Sequence, residues 1–286
     1  MKGMKKGKSE FNIKRGVLSF FVNATLLIFS ISCIFPLIWM LYSSVKTNKD
    51  FMSDYIGLPK SINLSNYVSI ITESGALKAI INSFRVTVLS VALIVVMGFI
   101  LGYMFARFSF RGSKILYAAF FVGLLVPIHS LLVPIYIIFS RTGLNDKWYT
   151  LIIPYVAFGI PLALFLVESS IKTIPIALEE AAAIDGSSFS RTLFKIILPI
   201  AKPILTTVAI IQTFYCWNEF SFALVLINKP IFRTVPLEIT LFTGQFTSDY
   251  PRMFGAMLVT MLPVIIFYFA FSKQIIKGMV AGAVKG

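Results

Sequence analysis

The sequence predicts an all-α, polytopic membrane protein with about six transmembrane helices. Hydrophobic residues make up 57% of the chain and charged residues only 13%, where soluble chains carry roughly 25% charged. The mean hydropathy is +0.86. Apolar runs of about the twenty residues that a bilayer requires occupy 17–42, 84–106, 115–139, 149–170, 203–225 and 254–273. Such long, continuous runs exclude barrel strands, and a helix satisfies its own backbone in lipid. The 286 residues hold these spans and short loops without room for an added soluble domain. The expected organisation is a basic segment 1–16, a membrane domain 17–273 and a tail 274–286.

A formal charge of +14 would suit a nucleic-acid binder if it formed one face. Here the basic residues lie between apolar runs and at the ends, as membrane orientation demands. Lys2, Lys5, Lys6, Lys8, Lys14 and Arg15 precede the first run, and Arg107, Arg111 and Lys114 fill the short link after the second. Both segments are therefore read as cytoplasmic. Threading six spans puts Lys172, Arg191, Lys195 and Lys202 on the same side, with Lys273, Lys277 and Lys285 at the end of the chain. The segments near 43–83, 140–148 and 226–253 become external. Cys33 and Cys216 fall within apolar runs and read as small hydrophobes, indicating neither disulfide nor metal site. The first run is too long for a signal-peptide core and lacks an A-x-A site, so it reads as a span.

Each element has its own signal. The first external segment mixes turn residues with an amphipathic stretch, Leu64 to Ile81, expected on the membrane surface. Span three contains Pro127 and Pro134, each of which removes a backbone donor and should bend the helix; His129 lies between them. His129 is a candidate path-lining residue or a locally hydrogen-bonded one, because no acid in its own span makes it a proton relay. Span five carries Gln212, Asn218 and Glu219. Counted from Pro203, Glu219 lies about 24 Å into a core of roughly 30 Å. An acid there is costly enough to suggest function, the alternative being a carboxylate that snorkels to the outer surface.

The polar, Ala-rich stretch 175–203 interrupts the apolar pattern most sharply. Pro175 suits a first helical turn, Ile176 to Ile184 favours helix, and Asp185-Gly186 supplies a left-handed stop. A second helix can start at Ser187 or Ser188 and is expected to end before Pro199. Ala181, Ala182 and Ala183 leave a nearly flat face, with Glu179 and Glu180 beside it, a surface that another protein can approach closely.

This stretch resembles the EAA loop of binding-protein-dependent ABC importer permeases. The matching residues are Glu180-Ala181-Ala182, Asp185-Gly186 and Ile196-Ile197-Leu198-Pro199, followed by Pro203. The resemblance implies a type I ABC importer permease fold and makes the loop a coupling helix that docks on an ATPase subunit, with Glu180, Ala181, Ala182, Asp185, Gly186, Leu198 and Pro199 as its residues. Ala182 is expected to face the ATPase groove. Asn82-Ser83, the segment 103–114, Trp217-Asn218-Glu219-Phe220 and the ending Gly282 to Gly286 are similar to the sugar-importer, maltose-type branch. That likeness implies a carbohydrate path lined by Trp217, Asn218 and Glu219, to which the reading of span three adds His129, with oligosaccharide the better guess. It also implies a heterodimer with a second, longer permease, two ATPase subunits that carry ATP and Mg, an extracellular sugar-binding protein, and a bacterial-type cell membrane with both termini inside.

No G-x-x-x-x-G-K-[ST] phosphate loop is present. Gly7-Lys8-Ser9 fails because Lys2 stands where the first glycine belongs. The chain should bind no cofactor of its own and is not read as an enzyme, since H-E-x-x-H, G-x-S-x-G and paired catalytic acids are missing. The alternatives are an ion-gradient secondary transporter, which usually shows inverted repeats and midplane acids, and a scaffolding protein, for which the EAA pattern would have no use.

Overall fold

The computed structural model describes residues 3–72, 75–245 and 249–283, with side chains over 19–72, 75–240 and 249–271. The described residues form thirteen α-helices: α1 (Gly3–Ser44), α2 (Asn48–Ser53), α3 (Ser65–Thr72), α4 (Ala76–Arg107), α5 (Ser113–Leu125), α6 (Leu132–Thr142), α7 (Ile152–Ile171), α8 (Ala177–Ile184), α9 (Phe189–Thr192), α10 (Leu198–Asn218), α11 (Ser221–Leu226), α12 (Val235–Gln245) and α13 (Tyr250–Ala283). Five helical stretches are long and apolar enough to cross a bilayer, and the pair α5–α6 makes a sixth span if its two parts count as one. The chain divides into two compact units, Met1–Ile70 with Phe246–Leu258, and Ile71–Gln245 with Val259–Gly286.

In the first unit the apolar part of α1 carries its side chains outward, and burial begins only at its last two residues, Ser43 and Ser44. Its end is ordered by polar contacts. Asn66 donates to the carbonyls of Ser44 and Lys46 at 2.8 and 3.0 Å, and Trp39 donates to the Tyr55 carbonyl at 2.8 Å. The Lys46 side chain is buried, which an ammonium tolerates only with partners. It donates to the Asp54 carbonyl at 2.9 Å and lies over the rings of Tyr42 and Phe51. Asp54 accepts from the amides of Gly57 and Ile56, and these bonds hold its carboxyl below the usual range.

The second unit is built on α4 and α7, the most extensively packed pair. Gly98 and Gly102 let their backbones meet: a Cβ at Gly98 would sit 2.6 Å from that of Ala163, and one at Gly102 would sit 2.7 Å from Val167. Small residues serve this purpose in bilayers, where close backbone approach takes over from hydrophobic drive. The α10 helix packs on both α4 and α7.

Four expectations are corrected here. The stretch 64–81 is not one surface helix: α3 stops at Thr72, and Ala76 to Ile81 open α4, where Ala79 is buried with Trp217 and Val235. Of the two prolines in span three, only Pro127 breaks the helix. Val126 and Pro127 are extended, and the two halves meet at 98°. Pro134 lies in the first turn of α6, where its missing N–H costs nothing. Pro199 does not end a helix. A π turn over Leu193–Ile197, closed by Leu198 N–H donating to the Leu193 carbonyl, carries the chain from α9 into α10. The wider turn relieves the clash between a proline ring and the carbonyl four residues back. Span five ends at Asn218 rather than near 225, because the Glu219 side chain takes over the amides that begin α11.

The tail prolongs α13 to Ala283, and the last three residues of the Gly282 to Gly286 ending lie outside the described residues.

Candidate functional site

Two sites emerge in the second unit, a loop around α8 and a polar pocket at the break between α10 and α11. The α8 turn is closed by two backbone bonds, Ser187 N–H to the Ala182 carbonyl at 2.9 Å and Gly186 N–H to the Ala183 carbonyl at 3.0 Å. This is the six-to-one, five-to-two pattern of a Schellman stop, and Gly186 occupies its left-handed position with φ +76. Ser188 then caps α9, accepting from Arg191 N–H at 3.4 Å.

The neighbouring acids are separated by geometry, since successive helical residues point about 100° apart. Glu179 turns inward and accepts from the Tyr103 hydroxyl and from Arg107 Nε, both at 2.6 Å. Arg107 also donates to the Ile174 carbonyl at 2.7 Å. Glu180 is exposed, with Ala181, Asp185 and Gly186. Ala182 is 6% exposed, covered by its own chain, so it does not face an outside groove. The apolar face offered outward instead is Ile184, 86% exposed, with Phe189 and Leu178. Leu198 and Pro199 lie beyond the loop, at the start of α10. Lys172, at the end of α7, is held above its ordinary value by its hydrogen bond to the buried Glu168.

At the second site Glu219 receives three donors: the Tyr155 hydroxyl at 2.9 Å, Phe222 N–H at 2.8 Å and Ala223 N–H at 3.4 Å. It lines two adjoining cavities. One, of about 230 Å³, also has Tyr155, Gln212 and Cys216 in its wall; the other, more open and about 600 Å³, has His129, Tyr215, Asn218 and Ser221. His129 Nδ1 and Ser221 Oγ are 3.4 Å apart, and Asn218 donates to the Phe214 carbonyl at 2.9 Å. Thus His129, Asn218 and Glu219 come together at one pocket although a whole span, α7, separates them in sequence. Trp217 does not join them. It is buried against Ala79 and Val235 and lines a different, apolar pocket. The ring exposed beside Glu219 is Tyr215.

Sequence reading missed four residues at these sites and noted a fifth, Gln212, without giving it a place there. Tyr155 and Glu168, like Gln212, are polar groups inside apolar runs, the signal that singled out Glu219. Tyr103 and Arg107 lie at an interface, where aromatic and basic residues are ordinary, so only the fold shows that they hold Glu179.

Residues 94–279 match the family model described as "Binding-protein-dependent transport system inner membrane component". The chain is 38% identical over 252 residues to the putative ABC transporter permease protein ORF2 of Caldicellulosiruptor sp., covering 88% of this chain and 91% of that protein. It is 38% identical to the multiple sugar-binding transport system permease protein MsmG of Streptococcus mutans, over 87% of this chain and 91% of the relative. It is 32% identical to the trehalose/maltose transport system permease protein MalG of Thermococcus litoralis, over 91% and 94%. Among solved structures, a chain of a bacterial ABC transporter involved in the import of the acidic polysaccharide alginate superposes with a TM-score of 0.74 at 24% identity, covering 90% of this chain and 96% of that one. The chain belongs to the family of inner membrane components of binding-protein-dependent transport systems. It is a multi-pass permease subunit with the fold of an ABC importer permease.

Proposed function

We propose that this subunit forms half of the path by which an ATP-driven importer takes up a carbohydrate, an oligosaccharide by preference, and that α8 is the coupling helix that an ATPase subunit grips. The reading places the N- and C-termini in the cytoplasm of a bacterial-type cell. A second permease supplies the other half of the path, two ATPase subunits hold ATP and Mg, and an extracellular binding protein delivers the sugar. The observation that carries it is the pocket where Glu219, Asn218, His129 and Ser221 gather beside the exposed ring of Tyr215. Carboxylate, amide, imidazole and hydroxyl groups accept or donate to sugar hydroxyls, and an aromatic face covers the apolar face of a pyranose. The sugar class also draws on the relatives, whose names include multiple sugar-binding and trehalose/maltose transport systems.

The test is reconstitution of the four-subunit complex with its binding protein in sealed vesicles. Glu219→Leu removes the acceptor of the Tyr155 hydroxyl and of the α11 amides, a desolvation cost of about 1–3 kcal/mol. Uptake is expected to fall tenfold or more at unchanged subunit levels, with Glu219→Gln in between. Wild-type uptake by Glu219→Leu across substrate concentrations would remove Glu219 from the path. Uptake that follows a proton or sodium gradient in the absence of ATP would favour the ion-coupled alternative.

A further inference from the structure

Of the described spans, counting α5–α6 as one, α4 alone carries no proline; Pro36, Pro127, Pro161, Pro203 and Pro263 interrupt the others. Its 32 residues make a rod of about 48 Å, longer than the hydrocarbon core. Each end is fixed by side chains. At one end Asn82 donates to the carbonyls of Ile231 and Arg233, at 2.8 and 3.0 Å, and the Ser83 hydroxyl accepts from Val235 N–H at 2.8 Å. At the other end Arg107 holds the loop into α8 at two points, the Ile174 carbonyl and the Glu179 carboxylate, and Tyr103 holds the same carboxylate. The ion pair is sheltered, with side chains 9% and 15% exposed, so its geometry is fixed as that of a solvated surface pair is not. Arg107 lies in the last turn of α4 and Glu179 in the first turn of α8, where each charge also suits the helix dipole.

We propose that α4 is the rigid relay between the external segment 227–238 and the coupling helix, and that Arg107, Glu179 and Tyr103 are its inner joint. They act as positioning residues for coupling and touch neither sugar nor nucleotide. Displacement of α8 moves α4 because Arg107 grips α8 and the strand of loop before it together, leaving no free hinge at Pro175. This rests on the reading of α8 as the coupling helix.

The experiment uses the assembled transporter in vesicles, with Arg107→Gln, Glu179→Gln, Tyr103→Phe and the double variant Arg107→Gln/Glu179→Gln. ATPase pull-down, ATP hydrolysis stimulated by the loaded binding protein, and uptake are read together. Recruitment and unstimulated hydrolysis are expected to stay within twofold of wild type, while sugar imported per ATP falls about tenfold in each Gln variant and about threefold in Tyr103→Phe. The double variant should lose no more than the worse single, because one joint is broken in all three. Wild-type stoichiometry in the Gln variants overturns the proposal. So does loss of ATPase recruitment in them, which would make the joint a folding device only, and so do losses that multiply in the double variant. Failure of the coupling-helix reading shows separately, as full recruitment by Glu180→Lys and Gly186→Val.

Discussion

Gly186→Val and Glu180→Lys each reduce uptake to background and weaken ATPase recruitment, while the subunit still inserts in the membrane. The backbone at Gly186 is left-handed, and a β-branched side chain there costs on the order of 1 kcal/mol or more. Nothing crowds the site within 4 Å, so the cost is conformational and not steric. It falls on the two hydrogen bonds, from Ser187 and Gly186, that turn α8 into α9. Losing the stop redirects Ile184 and Phe189, the apolar residues that the turn presents outward. Gly186→Asn is the discriminating control, because asparagine enters the left-handed region readily; it should keep most of the uptake. Glu180→Lys leaves the turn intact and reverses an exposed charge, so its loss must come from the partner's surface. Ala182→Trp is also expected to abolish uptake, by prising α8 from α9 within the chain. Vesicle uptake and ATPase pull-down are the measurements, and full recruitment in all these variants would reduce the loop to a connector.

The membrane class and the six apolar runs were legible because bilayer thickness acts on run length, which any sequence shows. The helix stop at Asp185-Gly186 was legible for a similar reason, since only a few residues enter the left-handed region without cost. Direction was not legible. Tyr215 and Trp217 differ by about 200° around α10, and this helix packs on protein over much of its surface, so no polar face marks which ring meets the pocket. The same limit hid the opposite fates of Glu179 and Glu180. Pro199 misled because a proline is a helix stop only if the preceding turn stays regular, and a π turn absorbs it here. Glu219 drew attention as an expensive charge, yet part of its work is local, taking the amides of Phe222 and Ala223 at a helix break. Tyr155, which donates to it, comes from α7, a contact that only tertiary packing creates.

Gly98→Val and Gly102→Val are the substitutions expected to damage assembly most, because they act where α4 and α7 touch. At Gly102 the first added carbon already meets Val167 at 2.7 and 2.8 Å and the Glu168 backbone nitrogen at 3.0 Å. Real Cβ atoms do not come as close as the two Val167 distances, and the Glu168 backbone cannot swing aside as the end of a long side chain can. At Gly98 the neighbour is the Cβ of Ala163 at 2.6 Å, the shortest side chain there is. Relief therefore requires the helices to separate, and overpacking of this kind costs about 1–3 kcal/mol per site. Separation also strips contacts along the whole pair and strains Arg107, which reaches from the end of α4 to Ile174 and Glu179. Each variant should lower the yield of detergent-stable, monodisperse subunit several-fold, with the double variant close to none. Gly98→Ala paired with Ala163→Gly tests the geometry itself. The pair exchanges one methyl across the contact, so it should recover most of what Gly98→Ala alone loses. Additive losses in that pair, or normal yields from both valine variants, would show that α4 and α7 do not meet at these glycines.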